Sequence, residues 1–304
     1  MIDISGFRYS DSWGYDAARS AVPLAEEFAH RGKPVVYMPQ AWGPFSKPGV
    51  AQSVRRIATL ATHLWSRDRQ STGYLTGLGF KPHESPDLAL LFASPASEER
   101  LAALGAAGIP NGPEPLIAIS PNMRVYERAK GVGSGNDYVR VLVAGARQCL
   151  AEGARVLLLP HEIKAVADRS PDDRLLCDLI RLALAPSDRV HALMEPSTAP
   201  VIKALIGSCG MLIGSRFHAI VAALSQSIPP IAVGWSHKYE ELLADFQCGS
   251  LLFDTDKGPD AFAAEVAEHW RNRETWRGRI AGELPRQQQK VATMFDEVAG
   301  LFRR

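Results

Sequence analysis

The feature that most constrains this chain is its regular alternation of short apolar runs with amphipathic stretches of helical period. The runs "PVVYM", "HLWS", "LALLF" (88–92), "LIAIS" (116–120), "RVLLLP", "GMLIG" and "PIAVGW" each precede a segment that reads as a helix. Strands alternating with helices in this way predict parallel, doubly wound α/β sheets. Helices are expected near 16–31, 50–62, 69–78, 95–107, 136–151, 173–184, 198–207 and 237–246, with two more near 259–278 and 286–302 closing the chain. The stretch "GIPNGPEP" (108–115) is the best linker, because its prolines and glycines oppose regular structure. It divides the chain into an N-terminal α/β domain over 1–110 and a second over 111–285. A C-terminal helix over 286–304 is expected to return to the first domain, with a cleft between the two.

Composition narrows the class. The 304 residues are 46% hydrophobic and 22% charged, with a formal net charge of +1. Such a balance describes a globular protein and offers no basic face for nucleic acid. No apolar run approaches the roughly 20 residues that a membrane-spanning helix needs. A cytoplasmic protein, at most peripherally associated with membrane, is the expectation. Cys149, Cys177, Cys209 and Cys248 are widely spaced and sit in helical or apolar patterns, so they read as reduced core residues. No metal-ligand spacing, dinucleotide fingerprint or P-loop is present, and no cofactor is expected.

In doubly wound sheets, ligands bind off the carboxyl ends of strands. Asn122 and Arg124 follow "LIAIS", and His161 and Glu162 follow "RVLLLP". Ser215, Arg216 and His218 follow "GMLIG", while Ser236, His237 and Lys238 follow "PIAVGW". The first domain offers Asp11, Gln40 and the pair Arg67-Asp68 at the equivalent positions. Arginines can grip phosphate and carboxylate oxygens by paired hydrogen bonds, and histidines can move protons near neutral pH. Arg124, His161, Arg216 and His218 are therefore expected to converge on a small anionic ligand. Ser215 is expected to cap the helix that follows, whose apolar stripe is Phe217, Ile220, Val221 and Leu224. That start would put Arg216 and His218 at a helix N-terminus, which favours anions. The dipole there disfavours an imidazolium at His218, which leaves His161 the favoured proton donor.

The segment "GSRFHAIVAALSQSIPPIAVGWSHKYEELLADF" resembles the C-terminal signature of polysaccharide pyruvyl transferases, in which Ser-Arg-(Leu/Phe)-His opens a helix and a lysine follows the next strand. "PQAWGPF" (Pro39, Gln40, Gly43, Pro44, Phe45) is similar to a loop of that family. So are "RDRQS" (Arg67, Asp68, Ser71), the later Asp87, the opening "DISGFRYSDSWG" and "LLPHE". Two departures stand out. Family members usually carry a glycine-rich strand–helix turn upstream of where this chain begins, and Gly210 stands where an acidic residue is common. The resemblance implies a GT-B-like fold of two Rossmann-like domains, the first shortened at its N-terminus. It implies phosphoenolpyruvate as co-substrate and a sugar or lipid-linked glycan as acceptor. His161 and His218 would then be catalytic, and Asn122, Arg124, Ser215, Arg216, Lys238, Asp11 and Gln40 would bind substrate. Two other readings remain open. One is a GT-B glycosyltransferase using a nucleotide sugar; the other is a non-catalytic protein that binds a glycan or anion.

Overall fold

The computed structural model describes residues 1–47, 49–110, 112–164, 170–234 and 237–303, with only the backbone of His237. The chain divides into two compact units, Met1–Leu91 with Pro285–Arg304, and Phe92–Leu284.

The first unit opens with β1 (Ile2–Asp3), α1 (Gly14–Arg19), α2 (Val22–His30), β2 (Val36–Gln40), α3 (Val50–Leu60), β3 (His63–Ser66), α4 (Arg69–Gly77) and β4 (His83–Glu84). Its four strands are parallel in the order β1-β2-β3-β4. The expected helix over 16–31 is two helices, because Pro23 lies in the first turn of α2, where its missing N–H is harmless. The expected strand over 88–92 is instead a turn of 3₁₀ helix, Leu88–Leu91. Asp87 accounts for it: its carboxylate accepts from the Ala89 amide at 2.9 Å, and its carbonyl accepts from Leu90 at 3.1 Å. One face of the sheet is filled by Tyr9, Tyr37 and Trp42, with the Tyr9 and Trp42 rings stacked at 4.9 Å.

The second unit holds α5 (Ser97–Ala106), β5 (Leu116–Ser120), α6 (Met123–Tyr126), α7 (Asp137–Ala151), β6 (Arg155–Leu158), α8 (Asp173–Ala183), β7 (Val190–Ala192) and α9 (Ala199–Gly207). Then follow β8 (Met211–Gly214), α10 (Phe217–Leu224), β9 (Pro230–Val233), α11 (His237–Asp245), β10 (Leu252–Phe253) and α12 (Gly258–Arg271). Residues 92–110, placed with the first domain by composition, group with this unit. Arg100 of α5 explains the grouping, donating to the Gly207 carbonyl at 3.0 Å and to Gln226 at 3.3 Å.

The six strands run parallel in the order β10-β9-β8-β5-β6-β7. The chain winds outward from β5 through β6 to β7, then returns to β8 on the other side of β5. Strand order therefore reverses between β5 and β8, which pair from Ile117–Met211 to Ser120–Gly214. At such a reversal the connections leave on opposite faces and a crevice opens at the carboxyl ends.

α7 and α12 pack together beneath this sheet. Gly145 permits the approach: a Cβ there would overlap the ring of Phe262, which is fully buried and lies 4.6 Å from the Phe253 ring. Gly145→Ala should gain about 1 kcal/mol of helix propensity and lose ~1–3 kcal/mol to overpacking. Net destabilisation in denaturant unfolding is the expected outcome, and a gain in stability would contradict this packing. Gly210 has a similar reason: a Cβ there would come within 3.0 Å of the Trp270 ring, so the acidic residue common in the family would crowd it.

Two helices close the chain as expected, but their boundary falls at Asn272 rather than between 278 and 286, and the last, α13 (Arg273–Gly300), runs unbroken through Pro285. From Pro285 onward it belongs to the first unit, where Val291, Met294 and Val298 bury against Val36, Met38 and Trp65. All four cysteines are buried and unpaired. Among the described residues, no helix is long and apolar enough to cross a membrane.

Candidate active site

The crevice at the β5–β8 reversal is built from four strand ends. After β5, Asn122 caps α6: its Oδ1 accepts from the Arg124 amide at 2.9 Å. Its Nδ2 crosses the crevice to donate to the Ser215 carbonyl at 2.8 Å. The same carbonyl accepts from the Tyr239 hydroxyl at 2.8 Å. Two side-chain donors on one carbonyl hold the turn between β8 and α10 in place.

Ser215 does not cap α10. Its hydroxyl is buried and donates to the Val233 carbonyl at 2.7 Å, tying β8 to the end of β9. The N-cap position belongs to Arg216, whose backbone is extended and which makes no side-chain cap bond. His218 is thus the second residue of α10, exposed, its ring edge-on to Phe217 at 5.6 Å.

Arg216 is held by carboxylates. Its Nε donates to Asp173 Oδ2 at 2.9 Å while Nη2 donates to Asp173 Oδ1 at 2.5 Å, a paired grip. Nη2 also reaches Glu162 Oε2 at 2.7 Å. Asp173 is fully buried at the start of α8 and organises more than this arginine. It accepts from the backbone amides of Met123 at 3.0 Å, His161 at 3.1 Å and Glu162 at 2.8 Å. One carboxylate therefore fixes the segments after β5, β6 and β8 relative to one another. The sequence reading missed Asp173. Its only signal was "SPDD": Asp172 supplies the N-cap, and the second aspartate has no role in capping.

His161 faces His218, Arg216 and Asp173. Desolvation among these groups, then the charges of His218 and Arg216, lower its pKa below the ordinary histidine value, while Asp173 pulls the other way. The residue still presents surface to solvent. Its imidazole is neutral at pH 7, contrary to the expectation that only His218 has reason to be neutral.

Four other expected site residues have different surroundings. Arg124 is exposed on α6 and pairs with Glu127 at 3.0 Å. The i,i+3 spacing on a short surface helix makes that partner the nearest carboxylate. Lys238 lies over the rings of Phe217 at 5.7 Å and Tyr239 at 5.3 Å. Trp235 and Ser236 lie outside the described residues. In the first unit, Asp11 accepts from Ser46 N at 2.7 Å, Ser46 Oγ at 2.5 Å and Lys47 N at 2.9 Å, which makes it the clamp of the "PQAWGPF" loop. Burial raises its pKa, and those hydrogen bonds outweigh it to leave a net lowering. Gln40 is fully buried at the end of β2, its Nε2 3.4 Å from Asp3 Oδ1.

The remaining first-unit motifs build structure. Arg67 and Asp87 form a buried ion pair at 2.8 Å, and Asp68 caps α4 through the Ser71 amide at 2.7 Å. Ser71 Oγ accepts from the Trp42 amide at 2.8 Å.

The pH dependence of stability follows from the histidines. His63, His161, His191 and His269 all have pKa values lowered from 6.5, each with desolvation as the largest cause. A lowered folded pKa means the unfolded chain takes up protons first as pH falls. Stability is thus fully present above pH 6.5 and is lost as the solution is acidified through the folded values. Thermal scans should show a melting temperature steady from pH 8 to 7 that declines toward pH 5; a rise on acidification would contradict the lowered values of these histidines.

Solved structures share this architecture. The UDP-GlcNAc 2-epimerase from Neisseria meningitidis, bound to UDP-GlcNAc, matches with a TM-score of 0.59 at 12% identity, over 94% of this chain and 74% of its own. The UDP-GlcNAc 2-epimerase from Methanocaldococcus jannaschii matches at 0.59 and 10%, over 82% and 66%. A UDP-forming α,α-trehalose-phosphate synthase from Burkholderia xenovorans matches at 0.57 and 12%, over 93% and 71%. Two parallel sheets with this likeness define a GT-B-like α/β protein. The family model of polysaccharide pyruvyl transferases matches residues 5–237, and the chain belongs to that family. It is accordingly a transferase.

Proposed function

We propose that this protein transfers pyruvate from phosphoenolpyruvate to two hydroxyls of a glycan sugar, forming a cyclic ketal and releasing inorganic phosphate. The observation that carries the reading is the meeting of Arg216, His161 and His218 at the switch point of the second sheet, within the stretch that matches the family. Arg216, held by Asp173, would receive the donor's phosphate or carboxylate. Asn122 and Ser215 shape the crevice wall, and Lys238 stands at the next strand end.

The chemistry balances as follows. A proton adds to the methylene carbon of phosphoenolpyruvate, leaving an oxocarbenium-like carbon. One sugar hydroxyl attacks that carbon and loses its proton. The C–O bond to phosphate then breaks, and the second hydroxyl closes the ring as its proton leaves, one released proton being carried off by phosphate. Net, a diol and phosphoenolpyruvate become a pyruvyl ketal and phosphate.

The neutral state of His161 reverses the assignment made from sequence. A neutral imidazole suits the base that takes the hydroxyl proton, which leaves His218 as the proposed donor to carbon. Solvent-deuterium exchange into the methylene group of phosphoenolpyruvate tests this. His218→Gln should abolish exchange while His161→Gln retains it; the opposite result would restore the earlier roles. If wild type binds no phosphoenolpyruvate but turns over a nucleotide sugar, the glycosyltransferase reading suggested by the fold's UDP-using relatives replaces this one.

A further inference from the structure

Arg216 faces two carboxylates that differ in how firmly they are held. Asp173 is fully buried and takes three backbone amides as well as the guanidinium, so it cannot leave without stranding all of them. The Glu162 side chain is 39% exposed, and its bond to Nη2 is a single contact at 2.7 Å. The Glu162 backbone amide is itself pinned by Asp173 Oδ2, so its carboxylate can swing away without moving the segment that carries His161. With both carboxylates in place the trio carries a net negative charge, which repels any incoming anion.

We propose that Glu162 is a charge-selectivity residue: its carboxylate stands on Arg216 where a ligand's anion would sit, and only a multiply charged anion displaces it. A monoanion would exchange one single charge for another and gain nothing, while a dianionic phosphate gains a second interaction with the same cation. This inference rests on reading Arg216 as the donor's anion site. It explains how a site of this kind would pass over the abundant monoanionic carboxylic acids, including the pyruvate that shares the donor's carboxylate and carbon skeleton.

Calorimetric titration of wild type, Glu162→Gln and Glu162→Ala with inorganic phosphate, pyruvate and phosphoenolpyruvate tests the inference. Removing the competing charge should tighten inorganic phosphate about tenfold, the worth of one charged hydrogen bond. It should raise pyruvate affinity by a larger factor, narrowing the preference for phosphate; an unchanged ratio of the two affinities would overturn the inference. Unchanged or weaker phosphate binding in both variants would overturn the inference and make Glu162 part of the scaffold. Absence of phosphate binding in all three proteins would overturn it as well. Tightened phosphate binding with no binding of phosphoenolpyruvate would leave the selectivity role standing and remove the proposed donor.

Discussion

Asp173→Ala should destabilise the second unit by about 3–5 kcal/mol, the cost of leaving a partly buried arginine without its paired carboxylate. Three backbone amides, those of Met123, His161 and Glu162, would lose their acceptor in the same substitution. An unsatisfied buried donor costs ~1–3 kcal/mol, though water entering the vacated space would recover part of this. Glu162→Ala provides the contrast: it removes the more exposed partner of the same guanidinium, and a change of no more than about 1 kcal/mol is expected. Denaturant unfolding of both variants measures the difference. Equal effects would mean that Asp173 is not the hub that joins the segments after β5, β6 and β8.

The second large effect is catalytic. His161→Gln should lower kcat by roughly 10²–10⁴, the usual contribution of a positioned acid or base. Donor affinity should stay nearly intact, because the proposed anion site is the Arg216 guanidinium and the imidazole is neutral. For a base, the sign of the pH dependence is fixed by that lowering: kcat/KM should hold from pH 8 down through 6.5 and fall only below it. A profile that instead declines as pH rises through 6.5 would mean that the protonated form of His161 is the active one.

Much of the fold was legible because its strands are near-continuous apolar runs, which mark a sheet covered on both faces. "LIAIS" became β5 residue for residue. Legibility failed where local polar chemistry overrides apolar pattern. "LALLF" has the composition of a strand, yet Asp87 turns its own chain back on itself and makes a 3₁₀ turn. The boundary expected between 278 and 286 was absorbed into one helix through Pro285, whose far half is buried on the first sheet through Val291, Met294 and Val298.

The site was legible in the same uneven way. Strand-end placement brought Arg216, His161 and His218 to one crevice, since that placement follows from the winding of the sheet. It could not say which way each side chain turns. Arg124 shares the edge but finds Glu127 on its own helix. Ser215 was read as a cap from its residue type and its place after the strand, whereas its hydroxyl donates to the Val233 carbonyl, distant in sequence. Asp173 was invisible because the three segments it bonds are brought together only by the folded chain.

The central claim is that phosphoenolpyruvate gives up pyruvate at the Arg216 crevice, and phosphate release reads it most directly. The purified protein would be incubated with phosphoenolpyruvate and a panel of galactosyl, glucosyl and mannosyl acceptors. Released phosphate would be measured alongside the ketal methyl signal by NMR. The account predicts acceptor-dependent phosphate matched one-to-one by ketal, both lost in His161→Gln. Phosphate release that needs no acceptor, ketal formation that survives His161→Gln, or no reaction with any acceptor while a nucleotide sugar is consumed would contradict it.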